Sequence, residues 1–180
     1  YRWYILKARL ILNIGDAKLW DNFWQGLKLE FQEDLQLRFC KALSLLQKGR
    51  AEMALIELQS LEKVGLQSPT LYQEMGHALF LASQWDAADQ QFNRALALNN
   101  EYSPALNGKA QVAFAKGAYD DFEMYANQAL SLKMHQPHLH YLWALHYHQK
   151  GEADSCRKAL QLCLQMAPKH QKALILREDL

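Results

Sequence analysis

The side chains most capable of chemistry crowd into one short stretch: five of the seven histidines in this 180-residue chain are His135, His138, His140, His146 and His148. Imidazole is a common transition-metal ligand, and one helix offers two of them to an ion at a spacing of i, i+3 or i, i+4. On the helix expected here the separations are two, six, eight and ten, and a separation of two turns the rings apart. The expectation is therefore no metal site, with these histidines divided between surface and groove. Cys40, Cys156 and Cys163 are an odd number of thiols and cannot complete a disulfide framework. Cys156 and Cys163 are seven apart on a predicted helix, roughly 10 Å by helical rise, too far to bridge. A nucleophilic Cys40 would need an electropositive setting, and a lone Cys in a helical pattern reads as packing. Reduced thiols suit a cytoplasmic protein. The adjacent acids Glu33–Asp34, Asp120–Asp121 and Glu178–Asp179 diverge around a helix, which makes them solvated surface or favourable charge at a helix start. With no phosphate-cradling glycine loop either, the chain is expected to hold no catalytic residue and no cofactor.

Composition says what kind of elements carry these residues. Half of the chain is hydrophobic and 22% is charged, inside the globular range. Eight glycines and four prolines are too few for the many turns of a sandwich and suit long helices with short connections. Twenty basic and nineteen acidic side chains leave a formal net charge of +1, without the basic excess expected of a nucleic-acid binder or of a protein held to anionic membranes. The apolar opening stretch, 1–14, is interrupted by Arg2, Lys7 and Arg9, so membrane insertion and a signal peptide are both unexpected. A start at Tyr1 rather than Met reads as a segment of a larger protein.

A fixed period organises the whole sequence. Gly15, Gly49, Gly117 and Gly151 are spaced by 34, 68 and 34, and Ser83 takes the vacant rung. Counting each glycine as position fifteen gives frames 1–34, 35–68, 69–102, 103–136 and 137–170, with a sixth beginning at Gln171. Position eight then reads Ala8, Ala42, Gly76, Ala110 and Ala144, all small enough for two helices to cross closely. Position fifteen is where the first helix reverses, and glycine adopts left-handed backbone angles there cheaply. Positions twenty, twenty-four and twenty-seven read Ala54, Leu58, Leu61, then Ala88, Phe92, Ala95, and later Cys156, Leu160, Cys163. In the fourth frame, Phe122, Ala126 and Ala129 exchange the large and small members while roughly conserving volume.

These ladders resemble the tetratricopeptide repeat (TPR), a 34-residue unit with small residues at eight, twenty and twenty-seven and aromatics near four, eleven and twenty-four. The third frame matches best, through Tyr72, Gly76, Leu79, Ala88, Phe92 and Ala95, and the fifth adds Tyr147 and Pro168. The second is weaker because Arg38 and Lys41 replace apolar residues, and the first is degenerate, with Trp20 beside Trp24. The resemblance implies an all-α fold, a right-handed superhelical solenoid of stacked antiparallel helical hairpins. It makes 1–170 one array of five repeats and 171–180 the start of a capping helix that solvates the end. First helices are expected near 2–14, 36–48, 70–82, 104–116 and 138–149, and second helices near 17–31, 51–64, 85–98, 119–132 and 152–166. Trp20, Phe23 and Trp24 either cap the first unit or pack on a domain upstream.

In such arrays positions two, five, nine, twelve and thirteen face a concave groove. The resemblance therefore makes Thr70, Gln73, His77 and Phe80 the groove residues of the third repeat, and Asn107, Gln111 and Phe114 those of the fourth. His138, Tyr141, Leu145 and His148 are those of the fifth. Amides of this kind pair with the backbone of an extended peptide, and the aromatics give apolar contact, unless Phe80 and Phe114 pack between hairpins. The clamp with which some relatives hold the terminal carboxylate of a chaperone tail is not in place. Its positions hold Phe39, Leu43, Glu74, Pro104 and Gly108, or, one repeat later, Gln73, His77, Gly108, His138 and Leu142. The expected function is a non-catalytic scaffold holding a peptide or helix of a protein partner, with no nucleic acid. The alternative is an accessory array of a larger bacterial protein, hydrolase or secretion-related, that docks its own catalytic domain or self-associates through the first repeat.

Overall fold

The computed structural model describes residues 2–133 and 135–180; Tyr1, which opens the first frame, and Met134 lie outside the described residues. Among the described residues there are twelve helices and no strand. They are α1 (Arg2–Ile14), α2 (Ala17–Gln25), α3 (Leu29–Gln32), α4 (Leu35–Gln47), α5 (Ala51–Lys63), α6 (Pro69–Leu81), α7 (Trp85–Leu98), α8 (Ser103–Lys116), α9 (Tyr119–Leu132), α10 (Pro137–Gln149), α11 (Ala153–Met166) and α12 (Gln171–Glu178). The expected boundaries hold within two residues except in one place. The second helix of the first repeat, expected as 17–31, ends at Gln25 and resumes as the short α3. Gly26 removes helix propensity there, and Gln32 Nε2 bridges the break by donating to the carbonyls of Trp24 and Leu27 at 3.4 and 2.9 Å.

Two compact units result, 1–100 and 101–180. In the first, α4 pairs with α5 and α6 with α7, while α1 lies on α4 and α5 on α6. In the second, α8 pairs with α9 and α10 with α11, and α12 closes on α11. Local signals set the starts: Asp16 Oδ1 accepts from the Lys18 and Leu19 amides, Asp34 Oδ1 from those of Gln36 and Leu37, and Ser68 Oγ from that of Leu71. Position fifteen is left-handed in every repeat, with φ of 70–74° at its four glycines and 58° at Ser83. The small position eight is a true close approach. A Cβ on Gly76 would come within 2.6 Å of the Phe92 ring. The exchanged pair of the fourth repeat is fully buried, with Phe122 filling the space between the Phe114 and Trp143 rings, each 5.1 Å away.

The aromatics of the first repeat turn inward. Trp20 and Phe23 are buried within a cluster that includes Ile5, Ala8, Ile11, Leu37 and Cys40, with Trp24 packed against it, so they belong to the interior of the first unit. Arg38 and Lys41, which weaken the second repeat's likeness to the TPR pattern, form a polar cluster instead. Arg38 Nε and Lys41 Nζ donate to the two oxygens of Glu57 at 2.8 and 2.9 Å, and Arg38 Nη2 to Ser60 Oγ at 2.5 Å.

Candidate functional site

In the first unit the first helices α1, α4 and α6 flank a trough of about 850 Å³. Three of the expected groove residues, Thr70, Gln73 and His77, line it. So do all five groove positions of the second repeat, Gln36, Phe39, Leu43, Leu46 and Gln47, and three of the first, Arg9, Leu12 and Asn13. The same position rule, applied two repeats earlier, would have found these eight. The floor is apolar, with Leu12, Phe39, Leu43 and Leu46, and amides stand around it. One amide is committed, since Gln47 Nε2 donates to the Leu12 carbonyl at 3.0 Å and ties α4 to the end of α1. Arg9 and Glu74 are the formally charged side chains of the lining, and His77 Nδ1 lies 3.7 Å from Glu74. The trough is thus close to neutral. Phe80 is half-buried and stands outside its lining.

The second unit carries the other seven expected residues, and many of them already engage neighbours. Gln111 Nε2 donates to Asn107 Oδ1 at 2.8 Å, and Asn107 Nδ2 donates to Gln136 Oε1 at 2.7 Å. Gln136 is buried, and its Nε2 reaches Ser103 Oγ and the carbonyls of Ala129 and Lys133 at 2.8–3.1 Å. No sequence signal marks this residue, because its importance lies in contacts 29 and 33 positions away. Phe114 is half-buried with its ring against Tyr119 and Phe122 at 5.7 and 5.1 Å. Tyr141 and Leu145 pack on the cluster around Ala144, Leu160 and Leu176, and the Tyr141 ring lies 4.9 Å from that of His170. Burial pushes the Tyr141 hydroxyl pKa up. His138 and His148 are exposed.

The remaining chemistry-bearing residues sort by burial. His140 and His146 are buried, a correction to their expected place on surface or groove. His146 is enclosed by the Tyr119, Phe122, Trp143 and Tyr147 rings, and its Nε2 lies 2.8 Å from Glu123 Oε1. Hydrogen bonds from Lys150 and then His146 hold the Glu123 carboxyl below its ordinary pKa. Among the described residues no group of three His, Cys, Asp or Glu side chains is placed to hold a metal ion. Cys40, Cys156 and Cys163 are buried and outside any disulfide, and burial raises each thiol pKa, the opposite of what a nucleophile needs. No helix of the described residues is long and apolar enough to cross a membrane.

Stacked antiparallel hairpins in a 34-residue register, with small residues where helices cross, define the fold class as the all-α TPR solenoid. Solved structures with this fold match nearly the whole chain. TTC0263, a thermophilic TPR protein of Thermus thermophilus, shares 18% identity at a TM-score of 0.81, covering 97% of this chain and 95% of its own. The Cut9 and Hcn1 hetero-tetramer of APC/C gives 22% identity and a TM-score of 0.81 over 96% of this chain and 35% of that one. YrrB, described as a TPR protein with an unusual peptide-binding site, gives 17% identity and a TM-score of 0.62 over 97% and 90%. At such identities the likeness is one of fold. No protein-family model and no curated sequence matches the chain.

Proposed function

We propose that this chain is a non-catalytic interaction scaffold and that the trough over α1, α4 and α6 receives a peptide or helix of a protein partner. The observation that carries the reading is the composition of that trough: an apolar floor bordered by amides and nearly balanced in charge. Apolar floors reward buried side chains of a ligand, and free amide groups pair with its backbone. A neutral lining selects against strongly charged tails, consistent with the absent carboxylate clamp. YrrB, a fold neighbour with a peptide-binding site of its own, supports the class of ligand without fixing its identity. The alternative use, docking of a neighbouring domain or a second copy through the first repeat, would draw on the outer side of α1 rather than on this trough.

Panning a random peptide-display library on the whole chain tests the proposal. Recovered peptides should be neutral and apolar, and Phe39→Ala with Gln73→Ala should weaken their binding about tenfold or more while the helical circular-dichroism signal is kept. Peptides that bind the double variant as tightly as the parent would remove the trough from the reading. For the second unit, Asn107→Ala with Phe114→Ala separates groove from core: lost binding with an intact melt marks a groove, and lost folding marks packing.

A further inference from the structure

Three amides of the trough are uncommitted. Asn13 of α1, Gln36 of α4 and Gln73 of α6 line it, and their side chains have no hydrogen-bond partner among the described residues. Gln47 differs, being engaged with the Leu12 carbonyl. A primary amide both donates and accepts, which matches the open N–H and C=O groups of an extended backbone. A helix has already satisfied those groups internally, so the lining favours an extended ligand over a helical one. An extended chain laid from α1 across α4 to α6 has an open amide on each helix it crosses.

The two formal charges of the lining stand on opposite walls, Arg9 on α1 and Glu74 on α6, with the apolar floor of α4 between them. Arg9 is exposed and has no ion-pair partner among the described residues. Burial raises the Cys40 thiol pKa and the Arg9 charge works against it, so that charge is felt at the floor. Glu74 has the His77 ring beside it, 3.7 Å away, and no Lys or Arg partner among the described residues. Positions nine and six of their repeats put the two charges at nearly one level along the helices, about 4.5 Å apart by helical rise. Across the helices they are two steps of about 10 Å apart. An extended chain covers that distance in about six residues. Residues two apart on such a chain share a face, so its first, third, fifth and seventh side chains all point to the trough. We propose that the trough selects an extended segment of a partner protein with an acidic residue at one end of this span and a basic residue at the other. The acid meets Arg9, the base meets Glu74, and two apolar side chains between them meet the floor at Leu12, Phe39 and Leu43. The assignment rests on the trough being the binding site, and Arg9 and Glu74 are then its specificity-determining residues.

Fluorescence anisotropy on the whole chain tests the assignment with labelled, end-capped heptapeptides. All carry Leu at the third and fifth positions and Ser between, and they differ only in their end residues: Asp and Lys, Asp and Asp, Lys and Lys, or Gln and Gln. The Asp/Lys peptide should bind about fivefold or more tightly than either like-charged one, and about 0.5 M NaCl should shrink that gap. Arg9→Glu changes an exposed residue, so the helical circular-dichroism signal is kept, and the Lys/Lys peptide should become the preferred one. Glu74→Gln should remove the advantage of Asp/Lys over Asp/Asp. Equal binding of all four peptides, each still weakened by Phe39→Ala, overturns the charge assignment and leaves the trough as the binding site. A preference that Arg9→Glu does not move overturns the assignment as well. Binding indifferent to Phe39→Ala, or no binding by any of the four, removes the assignment and the reading of the trough together.

Discussion

Ser83 does the work of a glycine at the turn of the third hairpin. Its φ of 58° carries a side chain into the left-handed region, where non-glycine residues are disfavoured by about 1–2 kcal/mol. Ser83→Gly should therefore raise the urea midpoint. The gain is expected at about 0.5–1 kcal/mol, since glycine's extra freedom when unfolded offsets part of it. A midpoint that does not rise would mean the turn is held by something other than backbone preference. Gly76 predicts the opposite response. Its added methyl would press on the Phe92 ring, which is itself buried, so Gly76→Ala should cost roughly 1–3 kcal/mol in the same assay. Both positions were legible in the sequence, because the repeat sets out the same role five times and shows which residue types recur. Gln136 was not legible: a single buried amide has no period, and only folding shows that it faces Ser103, Asn107 and the end of α9.

Helices and hairpins explain where pattern reading stopped short. Thirty-four-residue spacing located the helices, whereas the break between α2 and α3 depends on Gly26 and on a Gln32 side chain reaching back across it. Charges inside a hairpin were the harder feature, since Arg38 and Lys41 weaken the repeat's likeness until Glu57 of the facing α5 is seen between them. Burial pushes the Glu57 pKa up, but hydrogen bonds from Lys41 and Arg38 outweigh it and leave the carboxyl below its ordinary value. A carboxylate depressed on folding stabilises above the unfolded pKa, about 4.3, and that contribution is lost as pH falls through the lower folded value. Glu57→Gln should accordingly cost about 1–3 kcal/mol near pH 7, with the gap to the parent closing below about pH 4. Chemical denaturation at several pH values would read this directly, and a gap that stays constant would sink the account. The trough was partly legible for the same reason as the hairpins: positions two, five and nine carry over from repeat to repeat, but what else the side chains bond to does not.

Taken whole, the molecule is a sequence of local interfaces, and its stability is expected to respond locally. Gln136→Ala should speed amide hydrogen exchange in α8, α9 and α10 while leaving α1, α4 and α5 close to the parent. Uniformly faster exchange along the chain would contradict that picture. EDTA should leave the thermal transition where it is, because the described residues offer no metal cluster whose loss could move it. The three buried thiols add a practical consequence. Cys40 lies in the first unit and Cys156 and Cys163 in the second, all buried in the folded state. A thiol-specific alkylating reagent would therefore mark each unit only while it is open. Peptide mass spectrometry then turns the unmodified natural sequence into two clocks, each timing the breathing of its own half.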